Sequence, residues 1–223
     1  MTVTLQPAAA GEADARAAAA ASAFLALAPD PALDAAARLV AAYGGAALRL
    51  ERIAAAAGLD EAQLRARFGC EQSLRAALEQ RFADGFVARV RQAMDRCRDG
   101  DWGGRLRAWV QTAVSAYLEQ VALHDALFHE AHAHSKGYDR QAWQDNPVID
   151  QLVELLEGGI AARVWAAPDP RMTAVIFFSA MHGAVDRAIA CGDAQARPAE
   201  TRHRLVQTLV GHFERNVQWW SRF

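Results

Sequence analysis

Cysteine is scarce in this chain: Cys70, Cys97 and Cys191 are the only three in 223 residues, widely spaced and without a C-x-x-C pair. That usage excludes a disulfide framework and a four-ligand zinc site, and it fits a reducing, cytoplasmic setting. A run of about 20 uncharged apolar residues is also missing, which excludes a membrane-spanning helix. Basic charge is not in excess. Lys and Arg number 24 against 26 Asp and Glu, a net charge of −2, so nothing draws the whole chain to nucleic acid or to an anionic membrane. Any DNA binding has to come from a local patch. No β-alternation of useful length and no internal repeat appears. Ser-His-Asp spacing, a glycine-rich phosphate loop and paired catalytic carboxylates are absent, so neither an enzyme nor a cofactor is expected.

Two features invite a sharper reading and do not sustain it. The apolar run AAAAASAFLALA near the start follows Glu12, Asp14 and Arg16, whereas a secretory signal wants a positive segment first; residues 1–29 are expected to be an alanine-rich extension. His124, His129, His132 and His134 sit close together, but His129-Glu130-Ala131-His132 is one residue short of the zinc-protease pattern. They are expected to be polar helix-end or pocket-lining residues, and no metal is predicted.

What the chain does contain is helix, and it is organised around Leu33–Leu74. Asp30-Pro31 supplies a capping carboxylate and a proline at the first helical position, and Leu33, Ala36, Ala37, Val40 and Ala41 recur at helical spacing up to Gly44-Gly45. Leu50, Ile53, Ala54 and Ala57 form a second stripe that ends at Gly58. Asp60 caps a third helix with Leu64 and Phe68 inward and Gln63, Arg65 and Arg67 outward, before Gly69. Helix, glycine turn, helix is the helix-turn-helix layout, whose second member enters the DNA major groove. Further on, Leu74, Leu78, Phe82, Phe86 and Val90 predict a long helix from Glu71 to about Cys97. More helices follow around Leu106–Val121, Leu127-Phe128, Val148–Ile160, Arg171–Cys191 and Pro198–Trp220. The fold class is all-α, with residues 30–75 as a helix-turn-helix domain and 76–223 as a larger helical domain.

The first domain resembles the TetR family of transcriptional regulators. The resemblance rests on Ala36-Ala37, Leu39, Gly44, Ile53-Ala54, Ala57-Gly58-Leu59, Leu64, Phe68-Gly69 and Leu74, in register without insertion or deletion. It implies a dimeric regulator, more a repressor than an activator, that binds a palindromic double-stranded DNA operator and is released by a small-molecule effector bound in the second domain. Departures fall on the contact surface. Arg65 stands where the family carries a tyrosine that touches the DNA backbone, Glu71 where a lysine meets phosphate, Arg49 in place of a capping serine or threonine, and Cys70 in place of a serine. From Asp30 to Phe82 seven arginines face seven acidic residues, yet Arg49, Arg52, Arg65 and Arg67 cluster near the second and third helices. These four are the candidate phosphate ligands, because guanidinium grips phosphate in a fork, and Gln63 is the candidate base reader. The neutral head and Glu71 also motivate an alternative, a ligand- or protein-binding module that kept the fold and lost the DNA.

In the second domain Trp109, Tyr117, Phe128, His132, Trp143 and Phe178 are the candidate effector-binding residues, with core filling as the competing role for each ring. Ala180, Gly183 and Ala184 keep one helix face small, and Leu205, Leu209 and Phe213 give the last helix an apolar stripe. The resemblance implies that these helices pair with their copies in a two-fold dimer.

Overall fold

A computed structural model of the chain describes residues 7–22, 24, 27–129 and 146–218. They form eleven α-helices: α1 (Pro7–Ser22), α2 (Pro31–Tyr43), α3 (Leu50–Ala57), α4 (Glu61–Phe68), α5 (Glu71–Met94), α6 (Trp102–Glu119), α7 (Val121–His124), α8 (Pro147–Ala161), α9 (Pro170–Ala190), α10 (Asp193–Ala196) and α11 (Pro198–Val217). A 3-10 turn at Gly45–Ala47 precedes α3, and a π turn at Asp125–His129 follows α7. Starts are set by capping side-chain oxygens and prolines, at Asp30-Pro31 and Asp60 as the sequence predicts. Asp30 accepts from Leu33 N–H, Asp60 from Gln63 N–H, Asn146 from Val148 and Ile149 N–H, and Asp169 from Met172 N–H, with proline opening α2, α8 and α9.

The chain divides into two compact units, with breaks at Gly85/Phe86 and Leu118/Glu119. The first unit is the head. It runs past residue 75, the boundary drawn from the sequence, because Leu78 and Phe82 continue the packing of Leu74 and because Leu123, Ala126 and Leu127 return to the same core. The unit also reaches back before residue 30. Phe24 is buried in this core under the Arg81 guanidinium, 4.9 Å from its ring, and Arg81 donates to the Ala28 carbonyl (3.0 Å) and pairs with Asp34 (2.8 Å). Part of the supposed extension is therefore structural, as α1 packs against α2.

The second unit is built from the end of α5 with α6 and α8–α11. Phe177 and Phe213 stack in parallel at 3.9 Å and Trp109 meets Phe86 edge-on at 6.3 Å. Gly158 and Gly159 admit two indoles. A Cβ on Gly158 would lie 2.3 Å from Trp102, and one on Gly159 would lie 2.0 Å from Trp165. Trp165 then forms an isolated bridge with Gln218, and Ala166 N–H donates to the Val217 carbonyl at 2.8 Å, fixing the end of α11.

Candidate nucleic-acid interface

α3 and α4 are joined by Gly58, whose φ of +66° is a left-handed conformation that side chains rarely adopt. Leu59 N–H returns to the Ala54 carbonyl at 2.9 Å and Asp60 starts α4 within two residues, so the turn is short and fixed. Leu50, Ile53, Ala54 and Leu64 are buried beneath it, which leaves α4 presenting Gln63, Arg65, Ala66 and Arg67 outward. Gln63 is exposed, and its own N–H is held by the cap, so its amide is free to face a base edge.

The arginines are less free than their sequence spacing suggests. Arg65 donates to Glu61 one turn back at 2.8 Å, and this hydrogen bond raises its already high pKa. Arg49 lies 3.4 Å from Glu71 and 4.0 Å from Glu51. Arg67 reaches away from the exposed face of α4. It donates through both guanidinium nitrogens to Asp30, at 3.2 and 2.5 Å, and lies over the Phe68 ring at 4.5 Å. That fork ties the end of α4 to the start of α2 and occupies the guanidinium that the sequence offered to phosphate. Arg52 has no acidic partner among the described residues and lies over the exposed Tyr43 ring at 5.7 Å. Burial alone would raise the Asp30 carboxyl, but the Arg67 hydrogen bond, Leu33 N–H and the charges of Arg67 and Arg81 outweigh it and hold the pKa below its ordinary value.

Cys70 occupies the position before α5, exposed, with its sulfur 3.5 Å from Ser73 Oγ. The Ser73 hydroxyl, followed by the Ser73 and Gln72 N–H groups, lowers the thiol pKa. Glu71 beside it faces Arg49, so two of the departures from the family pattern compensate one another.

The candidate effector residues do not come together as one set. Trp109 (fully buried), Tyr117 and Phe178 belong to the second unit, where Tyr117 OH donates to Asp186 and its ring lies 5.2 Å from His182, itself 4.1 Å from Phe178. Phe128 belongs to the head instead, packed edge-on against Phe82 at 5.8 Å and near His124 at 5.2 Å, because the π turn carries it into the head core. His132 and Trp143 lie outside the described residues. Among the described residues no group of three or more His, Cys, Asp or Glu is placed to hold a metal ion.

The candidate dimer residues also separate. Leu209 and Phe213 are buried within their own protomer's core, and Leu205, Ala180 and Ala184 pack partly against it. Only Gly183 is open, with nothing within 4 Å of an added Cβ. Sequence reasoning overlooked the residues that share its face of α9: Met172 and Ile176 are 54% and 53% exposed, with Ser179 between. It also overlooked Gln151, a polar residue on the inward stripe of Val148, Leu152 and Leu155, whose apolar neighbours were the available signal. The carbonyl oxygen of its amide and the indole N–H of Trp109 are buried without a hydrogen-bond partner among the described residues.

The fold is similar to that of several solved structures. A fatty acid degradation regulator from Bacillus halodurans superposes with a TM-score of 0.63 at 20% identity, covering 82% of this chain and 97% of its own. A TetR transcription regulator from Haloarcula marismortui gives 0.65 at 20% identity, with 85% and 97% covered. A Rhodococcus protein of unknown function gives 0.66 at 21%, with 84% and 93% covered. No family model and no curated protein matches the sequence. At these identities the likeness shows the fold, and the activity has to be argued from residues.

Proposed function

We propose that this chain, which has the fold of TetR-family transcriptional regulators, is a dimeric DNA-binding repressor released by a small-molecule effector. The observation that carries this reading is the exposed face of α4. It is presented by a buried scaffold and a left-handed glycine turn, with Gln63 free for a base and Arg52 and Arg65 beside it. Glu61 holds Arg65 through an exposed pair, and exposed pairs are weak, so a phosphate can replace the carboxylate at small cost. Arg49 is held by Glu71 in the same exposed way.

The face of α9 carrying Met172, Ile176 and Gly183 is the dimer surface in this reading, which sets two recognition helices about one DNA turn apart, roughly 34–36 Å. The second unit takes the effector, which weakens operator binding by its differential affinity for two conformations, typically about 1–3 kcal/mol. No helix among the described residues is long and apolar enough to cross a membrane.

The test is recovery and sequencing of sheared genomic DNA bound to the purified protein at about 50 mM salt, where phosphate contacts are strong. An enriched palindrome is expected. Recovery without sequence preference, or no recovery, favours the second reading, a ligand-binding module that has lost DNA. The carboxylates that already satisfy Arg49, Arg65 and Arg67 support that alternative.

A further inference from the structure

α4 buries little of itself. Of its eight residues only Leu64 is buried, with Phe68 packed partly against the same core, and a helix of about two turns has little stability of its own. Its last turn is held by Arg67, which forks onto both oxygens of Asp30, 37 residues earlier in the chain, at 3.2 and 2.5 Å, and lies over the Phe68 ring. Asp30 is itself fixed. Its Oδ1 caps α2 by accepting from Leu33 N–H, and its own N–H donates to Asp34 Oδ2 at 3.2 Å. The other Asp34 oxygen accepts from Arg81 of α5, which also donates to the Ala28 carbonyl and covers the Phe24 ring. A continuous chain of bonds therefore runs from the end of α4 through the start of α2 to α5.

We propose that the fork between Arg67 and Asp30 sets the position of α4 on the head, and that Arg67 serves DNA recognition in this way, as a positioning residue, and not by touching phosphate. The proposal rests on the reading that α4 enters the major groove. Three observations separate this pair from those of Arg65 and Arg49. The Asp30 side chain is 17% exposed, whereas those of Glu61 and Glu71 are 42% and 46% exposed. Water can take over Glu61 or Glu71 when a phosphate captures the arginine, but Asp30 would be left as an unpaired charge largely shielded from solvent, which is costly. The fork is also bidentate, whereas Arg65 meets Glu61 through one nitrogen. Finally, Arg67 stands in the last turn of α4, and recognition helices read bases with their N-terminal residues.

The first measurement needs no DNA. Amide hydrogen exchange of the full-length protein at pH 7 is compared with that of Arg67→Gln and of Asp30→Asn, whose amide oxygen still accepts from Leu33 N–H and so keeps the cap. Both variants are expected to exchange about fivefold faster over residues 65–69, the scale of one ion pair, and to match the parent over α6, α9 and α11, which shows that each is folded. Unchanged exchange over residues 65–69 in both overturns the proposal. The second measurement uses the palindromic duplex recovered from genomic DNA. Each variant is expected to bind it about fivefold more weakly with an unchanged slope of log affinity against log salt, and the double variant no more weakly than either single one. A phosphate ligand behaves otherwise: Arg67→Gln would flatten the slope by about 0.9 per subunit, and Asp30→Asn, by freeing Arg67, would tighten binding. Either result overturns the proposal. Faster exchange at α4 in a protein that selects no palindrome would keep the fork as the holder of α4 and remove the regulator. A palindrome bound equally by parent and variants would keep the regulator and overturn the proposal.

Discussion

Both units pair charges, the second through Arg91 with Glu154, Arg171 with Asp150 and Arg204 with Asp193, but they differ in the polar groups of their cores. In the head, four arginines are matched by carboxylates: Arg65 with Glu61 and Arg49 with Glu71 at the surface, Arg67 with Asp30 at its edge, and Arg81 with Asp34 largely buried. In the second unit the core is apolar and aromatic, and the Trp109 indole N–H and the Gln151 amide oxygen are buried in it without a hydrogen-bond partner among the described residues. At a surface, arginines are governed by which carboxylates hold them, whereas in a core the polar groups are governed by which hydrogen bonds are left open. The same physics, the cost of an unmet polar group, is small at the exposed face and large in the core.

That contrast can be broken at several points. Phe213→Ala removes a fully buried ring stacked on Phe177 and is expected to destabilise the second unit by about 3–5 kcal/mol in urea unfolding. A loss under about 1 kcal/mol would show that the aromatic core is not what holds this unit. Ile176→Arg puts charge on the exposed α9 face that the proposed dimer covers, and light scattering at micromolar concentration should then report a monomer while the melting temperature stays near the parent's. A variant that remains as dimeric as the parent places the interface elsewhere. On the head, Glu71→Lys both frees Arg49 and adds a cation, so DNA binding should tighten and its salt dependence should steepen by about one unit per subunit. An unchanged salt slope means that the start of α5 does not face phosphate.

The smallest effect is expected from Asp30→Asn, which keeps the cap on α2 and removes the charge facing Arg67. Because the folded carboxyl titrates below its ordinary value, its contribution to stability is present above the unfolded pKa of about 3.9 and is lost as pH falls through the lowered folded value. The variant should therefore be less stable than the parent at neutral pH and equal to it at the acid end. A constant difference between the two across that range would mean that the Arg67 pair contributes nothing.

The head was the more legible of the two units, and for a local reason. Caps, glycines and apolar spacing over Asp30–Gly69 act within a few residues of one another, so α2, α3 and α4 begin and end where those signals stand. The pairing of Arg67 with Asp30, 37 residues away in the chain, has no such local signal, and so the sequence offered Arg67 as a DNA ligand. Phe128 was assigned to the second domain for a similar reason, since helical periodicity cannot say to which core a short segment after a break returns. In α9 and α11 the small and large apolar residues were recognised, but which of them face inward is a matter of helix rotation. Leu209 and Phe213 were taken by the protomer's own core, leaving Met172 and Ile176 outside.

By itself the sequence determined an all-helical chain, the position of the helix-turn-helix, and the neutral charge balance of the stretch from Asp30 to Phe82, because these depend on residue type and spacing along the chain. Tertiary structure alone decided that Arg49 is held by Glu71 and Arg67 by Asp30, which apolar faces are left open, and that the Trp109 indole N–H and the Gln151 amide oxygen are buried without a partner among the described residues. Those outcomes depend on side chains from helices distant in sequence competing for the same space, and no periodicity along one helix records which competitor wins.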